Sequence, residues 1–193
     1  MVKFAARLLL LSGAALLASC STPKQTAAPV AAVAPPKKVD LGYRWTNGFA
    51  EAAREGAAAS FGPSNLKPGE YHWAAQIPAE GDTKVVVDLL TQTAFVYRGE
   101  QVVGVSTISS GKKGHETPLG FWSVERKQKV YRSRKYQNAP MPFAQIIDDH
   151  GIALHGGALP GYPASHGCVR LPLKFAEKLF TLTKVGTKVV IEG

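Results

Sequence analysis

From residue 83 to the C-terminus, the sequence alternates short runs of Val, Leu, Ile and aromatic residues with turns that contain Gly or Pro. Runs of this length and composition, separated by such turns, are typical of β-strands. The pair Gly99-Glu100 joins two of the runs and predicts a two-residue hairpin turn. We expect strands at residues 84–90, 94–98, 101–109, 121–126, 143–147, 152–155 and 188–191. This pattern restricts the C-terminal part of the chain to a mostly β domain.

Two segments follow a helical period instead. Over residues 172–183 the apolar side chains share one face, Pro172 stands at the start and Gly186 follows the end. Residues 46–60 are rich in Ala with apolar residues at helical spacing, and the turn-forming pair Gly62-Pro63 follows them. The predicted architecture is a mostly β (α+β) domain with one or two helices over residues 83–192. A helix-and-loop extension at residues 41–82 precedes it, in which residues 61–82 are expected to be loop.

The first forty residues have the composition of a targeting signal followed by a linker. Lys3 and Arg7 precede an apolar run at residues 8–17, which has the length of a signal-peptide core and is too short to cross a membrane. The sequence Leu-Ala-Ser-Cys at residues 17–20 resembles the lipobox of bacterial lipoproteins, in which the Cys becomes the lipidated first residue. We expect a signal peptide at residues 1–19, a lipidated Cys20 and a disordered Ala/Pro/Lys-rich tether up to residue 40. The alternative is an ordinary secretory signal in which Cys20 has no role.

Charge and cysteine content limit the partners of such a chain. The formal net charge is +9, and six basic residues fall within residues 126–135, which form either a binding surface or a solvated face. For an exported chain, this charge favours anionic material of the cell envelope as a partner over nucleic acid. The chain has two cysteines, so an acylated Cys20 leaves Cys168 without a partner in the chain. A lone thiol in an oxidising compartment is either reactive by design or buried and inert.

The surroundings of Cys168 are those that a cysteine nucleophile requires. An imidazole at hydrogen-bond distance shifts a thiol towards its thiolate, and both His155 and His166 are candidates for this role. His155 ends an apolar run that could lie beside the strand of Cys168. His166 shares a side with Cys168 only where the backbone is extended. The local pattern does not choose between the two histidines.

Three more residues fit the same chemistry. Gly167 allows a close backbone turn, so that the N–H groups of Gly167 and Cys168 could face a developing oxyanion. Arg170 is a fixed cation suited to a carboxylate or carbonyl next to the nucleophile. The Gly156-Gly157 pair leaves a backbone carbonyl that could accept from the second ring nitrogen of His155 and fix its tautomer.

A zinc site formed by His155, His166 and Cys168 is the main alternative chemistry, because these residue types ligate zinc. A catalytic zinc site usually also needs a carboxylate base, and no Asp or Glu lies between His155 and Arg170. A thiol redox role lacks the C-x-x-C motif that would support it. We therefore expect neither a metal ion nor a cofactor.

The motif Ser-His-Gly-Cys-Val-Arg at residues 165–170, with His-Gly at 155–156 and Thr-Pro-Leu-Gly-Phe at 117–121, resembles the catalytic domain of L,D-transpeptidases, which has the YkuD-like fold. The resemblance covers residues 83–192 and implies a β-sandwich-like domain. It assigns the nucleophile to Cys168, the general base to His155 and the orienting carbonyl to Gly156. Ser165, His166 and Arg170 then become substrate-binding residues.

The resemblance also implies the reaction. Cys168 attacks the bond between the third residue of a peptidoglycan stem peptide and its terminal D-Ala, releases D-Ala and transfers the acyl group to an amine. An amine of diaminopimelate as acceptor gives a cross-link between stems, a protein Lys gives anchoring of an envelope protein, and water gives L,D-carboxypeptidase activity. A non-catalytic lipoprotein that binds the wall is the alternative from another class. We expect the chain on the periplasmic face of the envelope, joined to the membrane through Cys20. Ser21, where inner-membrane lipoproteins often carry Asp, favours the outer membrane.

Overall fold

The computed structural model describes residues 45–63 and 65–193. They form two helices and ten strands, in the order α1 (Phe49–Phe61), β1 (Tyr71–Trp73), β2 (Thr83–Asp88), β3 (Thr93–Arg98), β4 (Gln101–Thr107), β5 (Gly120–Ser123), β6 (Arg126–Gln128), β7 (Ala144–Ile146), β8 (Ala153–Gly156), β9 (Val169–Leu171), α2 (Leu173–Leu182) and β10 (Lys188–Glu192). The predicted signal peptide, Cys20 and the tether lie outside the described residues. Within the described ranges, no helix combines the length and the apolar character needed to cross a bilayer.

Two β-sheets and helix α2 enclose the main core. The first sheet has the strand order β1-β4-β3-β2-β10-β5, and its pairs are antiparallel except β2 with β10. The second sheet has the order β6-β7-β8-β9, in which β8 and β9 run parallel. Because successive residues of a strand face opposite sides, Val85 and Val87 enter this core while Val86 faces α1. Leu154 comes from the second sheet and Phe175 from α2. The mostly β prediction is confirmed, with two helices.

One predicted strand is wrong, since residues 121–126 belong to two strands in different sheets. Strand β5 pairs with β10, and the chain leaves the first sheet at Val124, whose N–H donates to Thr187 O at 2.8 Å. The next residue, Glu125, donates its N–H to Ile146 O in the second sheet, also at 2.8 Å. The residue pattern runs through this point without a break, because one backbone can change partners without a turn residue.

Helix α1 packs against the first sheet and confirms the predicted Ala-rich helix. No side chain next to the helix caps its start. Instead, the buried carboxylate of Glu192, in the last strand, accepts hydrogen bonds from Asn47 N–H at 2.6 Å and Ala50 N–H at 2.7 Å. A Cβ atom on Gly56 would lie 2.7 Å from Val102 Cγ2, so the glycine allows close approach of α1 to β4. The two ends of the described chain are therefore joined.

The segment between α1 and β2 was expected to be loop, but it contains the short strand β1, which pairs with β4. The indole of Trp73 stacks on Phe175 of α2, with the ring centroids 4.4 Å apart. Opposite Trp73 lies Gly104, where a Cβ atom would lie 2.4 Å from the indole ring. The aromatic residues Tyr71 and Trp73 of this segment therefore serve packing.

Residues 129–143, between β6 and β7, form a structure that we call the basic hairpin. Its turn passes through Gln137 and Asn138, which have φ of 46° and 55° and match the type I′ turn of tight hairpins. Met141 packs against the outer face of the second sheet. The arms are joined by hydrogen bonds from Phe143 N–H to Lys129 O, from Met141 N–H to Tyr131 O and from Ser133 N–H to Ala139 O. Most of the basic run predicted at residues 126–135 therefore lies on an ordered hairpin.

Candidate active site

Strands β8 and β9 bring the predicted site residues to one face of the second sheet. In their parallel register, His155 is the partner of Arg170 and Leu154 that of Val169. Leu154 and Val169 are buried in the main core, so the alternating side chains of His155 and Arg170 face the opposite side. Cys168 directly precedes β9 and shares the side of Arg170. The expectation that the run of His155 lies beside the strand of Cys168 is confirmed.

The imidazole of His155 is held in one orientation. Its side chain is buried, and Nδ1 lies 2.9 Å from the carbonyl oxygen of Gly156. Because a carbonyl oxygen only accepts, Nδ1 carries the proton and Nε2 has a free lone pair. The N–H of Gly156 in turn donates to Pro142 O at 2.8 Å, which fixes this peptide against the basic hairpin. The carbonyl of Gly156 is thus placed where the family resemblance puts it.

Burial determines the protonation of His155. It lowers the pKa of His155 from 6.5 to about 4, and the positive charge of Arg170 acts in the same direction, against the hydrogen bond to Gly156. His155 is therefore a neutral base at neutral pH.

The thiol of Cys168 is half-buried at the base of the site. Burial raises the pKa of the thiol, and the carboxylate of Asp148 adds to this, against a backbone hydrogen bond from Ala153 and the charge of Arg170. The thiol donates a weak hydrogen bond to Gly151 O, with sulfur and oxygen 3.8 Å apart. At rest, the thiol of Cys168 and the imidazole of His155 are thus both neutral.

The loop in front of Cys168 is held by hydroxyl groups. Ser165 Oγ accepts from Gly167 N–H at 3.1 Å and donates to Cys168 O at 2.5 Å. Thr117 Oγ1 donates to Gly167 O at 2.8 Å and accepts from Gly111 N–H at the same distance. These four bonds fix the backbone on both sides of the thiol.

This arrangement corrects the prediction for Gly167. Its N–H is bonded to Ser165 and does not line the cavity at Cys168, so it is not free to meet an oxyanion. The glycine is needed for shape, because its φ is 114° and a Cβ atom would lie 2.6 Å from Ile152 Cδ1. Within the described residues, no acceptor for the N–H of Cys168 is present, which leaves that donor for a ligand. Substrate contact by Ser165 stays a prediction, since its hydroxyl is used inside the loop.

Sequence reasoning missed the role of Thr117. Its buried hydroxyl joins two loops that are 50 residues apart, through Gly167 O. In the sequence, the surrounding Thr-Pro-Leu-Gly segment contributes only to the family resemblance. No residue pattern reveals which carbonyl a distant hydroxyl will reach.

His166 does not occupy a position equivalent to that of His155. Its ring stacks on Tyr136 of the basic hairpin at a centroid distance of 4.3 Å and meets His115 edge-on at 4.7 Å. Partial burial lowers the pKa of His166, as do the nearby charges of Lys112, His115 and Arg170. His166 therefore forms part of the wall of the site, and the geometry favours His155 as the base.

A cavity of about 740 Å³ opens above Cys168 between this wall and the basic hairpin. His155, Gly156, Ser165, His166, Cys168 and Arg170 all line it. The aliphatic part of Arg170 lies against Gly157, where a Cβ atom would be 3.1 Å from Arg170 Cγ. Within the described residues, Arg170 forms no salt bridge, so its guanidinium is available to an anionic ligand.

The zinc alternative finds no support in the positions of the side chains. Among residues 45–63 and 65–193, no three His, Cys, Asp or Glu side chains come together as metal ligands. His155, His166 and Cys168 are all within these ranges, and the first is bonded to a backbone carbonyl through Nδ1.

Comparison with known proteins agrees with the geometry. The family profile of YkuD, the L,D-transpeptidase catalytic domain, matches residues 82–191. Similar solved structures include an L,D-transpeptidase from Stackebrandtia nassauensis, with 27% identity and a TM-score of 0.54 over 72% of this chain and 65% of that chain. A Cys-to-Ser mutant of the Enterococcus faecium L,D-transpeptidase has 26% identity and a TM-score of 0.51 over 65% and 54%. An L,D-transpeptidase from Mycobacterium tuberculosis shares the fold, with 21% identity and a TM-score of 0.55 over 57% of each chain.

The chain spans between about half and two thirds of the length of these solved structures. A search among curated proteins found no match.

Proposed function

Because the chain belongs to the YkuD family of L,D-transpeptidase catalytic domains, we propose that it is a cysteine acyltransferase acting on peptidoglycan stem tetrapeptides. One observation supports this proposal most directly. Cys168 and His155 lie on one face of neighbouring parallel strands. The imidazole is oriented by Gly156 O, and its Nε2 has no hydrogen-bond partner among the described residues. This is the arrangement that a thiol and its general base require.

The first step follows from the protonation states. Since the pKa of His155 is lowered to about 4 and that of Cys168 is raised, no thiolate–imidazolium pair is stored at neutral pH. Rotation about the Cα–Cβ bond turns the thiol from Gly151 O towards His155. The thiol proton then passes to Nε2 of His155 as Sγ attacks the carbonyl carbon of the third stem residue. The negative charge that develops on the carbonyl oxygen is met by the N–H of Cys168.

The tetrahedral intermediate collapses when the C–N bond to D-Ala breaks. The imidazolium of His155 gives its proton to the departing amine, which leaves a thioester on Cys168 and a neutral imidazole. Arg170 is placed to hold a carboxylate next to the scissile bond, such as that of the terminal D-Ala.

The second step reverses the same proton movements. An acceptor amine attacks the thioester, His155 takes the amine proton, and the thiol is restored when the C–S bond breaks. A diaminopimelate amine gives a cross-link and a protein Lys gives anchoring, whereas water gives the free tripeptide. The products of the reaction distinguish these acceptors.

We also propose that the chain works as a lipoprotein on the periplasmic face of the envelope, held by Cys20. The support is the sequence alone: a basic start, an apolar run at residues 8–17 and the Leu-Ala-Ser-Cys sequence. Labelling of cells with a radioactive fatty acid tests this, because Cys20→Ser should remove the label while Cys168→Ala retains it. Label that persists in the Cys20→Ser chain contradicts lipidation at this residue.

The catalytic proposal is tested by intact mass. The chain from residue 20, with Cys20→Ser so that Cys168 is the one thiol of the sequence, is mixed with a tetrapeptide stem. We expect a mass gain equal to the stem minus D-Ala, and none in the matched Cys168→Ala chain. If neither an adduct nor free D-Ala forms with the intact thiol, the acyltransferase proposal is wrong and a wall-binding role takes its place.

A further inference from the structure

The cavity above Cys168 has an unbalanced charge. Four permanently charged cations line it, from Arg126, Arg134, Lys135 and Arg170, against the single carboxylate of Asp149 among the described residues. None of the four cations takes part in a salt bridge with a described carboxylate. Four cations against one carboxylate give the cavity an excess of positive charge, which attracts an anionic ligand.

Two of these cations, Arg134 and Lys135, stand at the tip of the basic hairpin, where Ser133 holds the backbone. Ser133 Oγ accepts hydrogen bonds from the N–H groups of Lys135 and Tyr136, at 3.3 Å and 3.0 Å. The ring of Tyr136 then stacks on His166, which stands two residues before the nucleophile. The tip is thereby fastened to the catalytic loop, and Arg134 and Lys135 face the same space as Cys168.

The cavity is small enough for the cations on its walls to act on a bound ligand. A sphere of about 740 Å³ is roughly 11 Å across, close to the Debye length of about 8 Å at physiological salt. A carboxylate inside the cavity is therefore screened only in part from cations on its walls. An amide in the same place has no net charge and gains nothing from this field.

The substrate of the proposed function carries groups of this kind. A stem that is joined through the γ-carboxyl group of D-Glu keeps the α-carboxyl group of that residue, and diaminopimelate keeps a carboxyl group on its side chain. Either group is a free carboxylate or, after amidation, a neutral amide. Both lie in the part of the stem that stays on Cys168 as the acyl group. The carboxylate of D-Ala is separate from them and lies next to the bond that Arg170 faces.

We propose that the cation-lined cavity makes the protein selective for donor stems whose D-Glu and diaminopimelate carboxylates are free, over stems amidated at both positions. This selectivity rests on the proposed function and deepens it. An exposed ion pair changes binding by a factor of roughly two to five, so two carboxylates together change kcat/KM for acylation by roughly 4-fold to 25-fold. Raising the salt from about 0.01 M to about 0.5 M shrinks this ratio, because the Debye length falls below the size of the cavity.

The experiment measures kcat/KM for acyl-enzyme formation with the two stems, which differ only in the two amides. It uses the chain from residue 20 with Cys20→Ser, and a second chain that also carries Arg134→Gln and Lys135→Gln. We expect the ratio of free to amidated stem to fall at least threefold in the second chain. A matched control carries Lys67→Gln and Lys188→Gln, which remove the same charge from exposed positions outside the cavity, and should keep the original ratio.

The outcomes separate this proposal from the one on which it rests. Equal kcat/KM for the two stems at low salt overturns the selectivity and leaves the acyltransferase function standing. An unchanged ratio in the Arg134→Gln, Lys135→Gln chain also overturns it, even where both rates fall. Failure of both stems to acylate Cys168 overturns the function and the selectivity together.

Discussion

His155 should make the folded protein sensitive to acid, independently of its catalytic role. Its side chain has 6% of its surface exposed, and burial lowers its pKa from 6.5 to about 4. In the unfolded chain the same imidazole takes up a proton near pH 6.5. Between these two values the unfolded state binds more protons than the folded state, so acid favours unfolding. The contribution of neutral His155 to stability is complete above about pH 6.5 and is lost as the pH falls towards 4.

The size of the effect follows from the two pKa values. At about pH 4.5, the unfolded imidazole is almost fully protonated and the folded one is mostly neutral. Linkage between the two states then gives a loss of about 2 to 3 kcal/mol in the free energy of unfolding relative to pH 7.5. Because the group is buried, solvent screening does little to reduce this figure. A loss of this size is a large fraction of the stability of a domain.

Urea unfolding at pH 7.5 and at pH 4.5 measures this loss in the parent chain and in His155→Gln. Other groups also titrate in this range, so the decisive quantity is the difference between the two chains. We expect His155→Gln to lose about 2 to 3 kcal/mol less on acidification, whatever its stability at pH 7.5. The exposed His72, substituted by Gln, serves as the control and should follow the parent chain. Equal acid sensitivity of the parent and His155→Gln would refute a buried, neutral imidazole.

Three further predictions concern the supports of the site and its protonation. Thr117→Val leaves the buried N–H of Gly111 and the buried carbonyl of Gly167 without their partner. We therefore expect a loss of about 2 kcal/mol in the free energy of unfolding and a lower kcat for acylation. Thr117→Ser keeps the hydroxyl and should restore both. Glu192→Gln weakens the cap of α1 and should cost about 1 kcal/mol in thermal unfolding, while the acylation rate measured by mass stays unchanged, since the cap is remote from Cys168. The kcat/KM for acylation should be constant from about pH 5.5 to about pH 8, because His155 and Cys168 are both neutral there. A rate that rises tenfold per pH unit in this range would indicate attack by a preformed thiolate.

The sequence predicted those parts of the fold that depend on local pattern. The hairpin at Gly99-Glu100, helix α2 and the last strand follow from turn residues and apolar period, and all are present. The error at Val124 and the missed strand β1 have a common cause, since both depend on which distant strand a short segment meets. Residue type over a few positions carries no information about such partners.

For the candidate site too, the sequence predicted residue types but not the contacts between distant segments. The residue types predicted a nucleophile at Cys168 with His155 or His166 as its base, and the family resemblance pointed to His155. The structure places His155 and Cys168 on one face of neighbouring strands. The sequence could not show that the N–H of Gly167 is unavailable to an oxyanion, because that depends on its hydrogen bond to the hydroxyl of Ser165. Nor could it show that Tyr136 would cross the cavity to stack on His166, because that contact depends on how the basic hairpin folds back.

The burial of Cys168 bears on the choice that the sequence left open between a reactive and an inert thiol. A thiol is oxidised and alkylated through its thiolate, and burial raises the pKa of Cys168, so the resting protein presents little thiolate. In the proposed mechanism, neutral His155 accepts a proton only while a carbonyl carbon is attacked. A bound substrate is thus part of the activation, and the same burial that protects the thiol makes its reaction depend on the substrate. Iodoacetamide should therefore alkylate Cys168 more slowly in the folded chain than in the same chain unfolded in about 8 M urea. A stem peptide, in contrast, should acylate Cys168 only in the folded chain. Equal alkylation rates in the folded and unfolded chains would show that the thiol is not protected in this way.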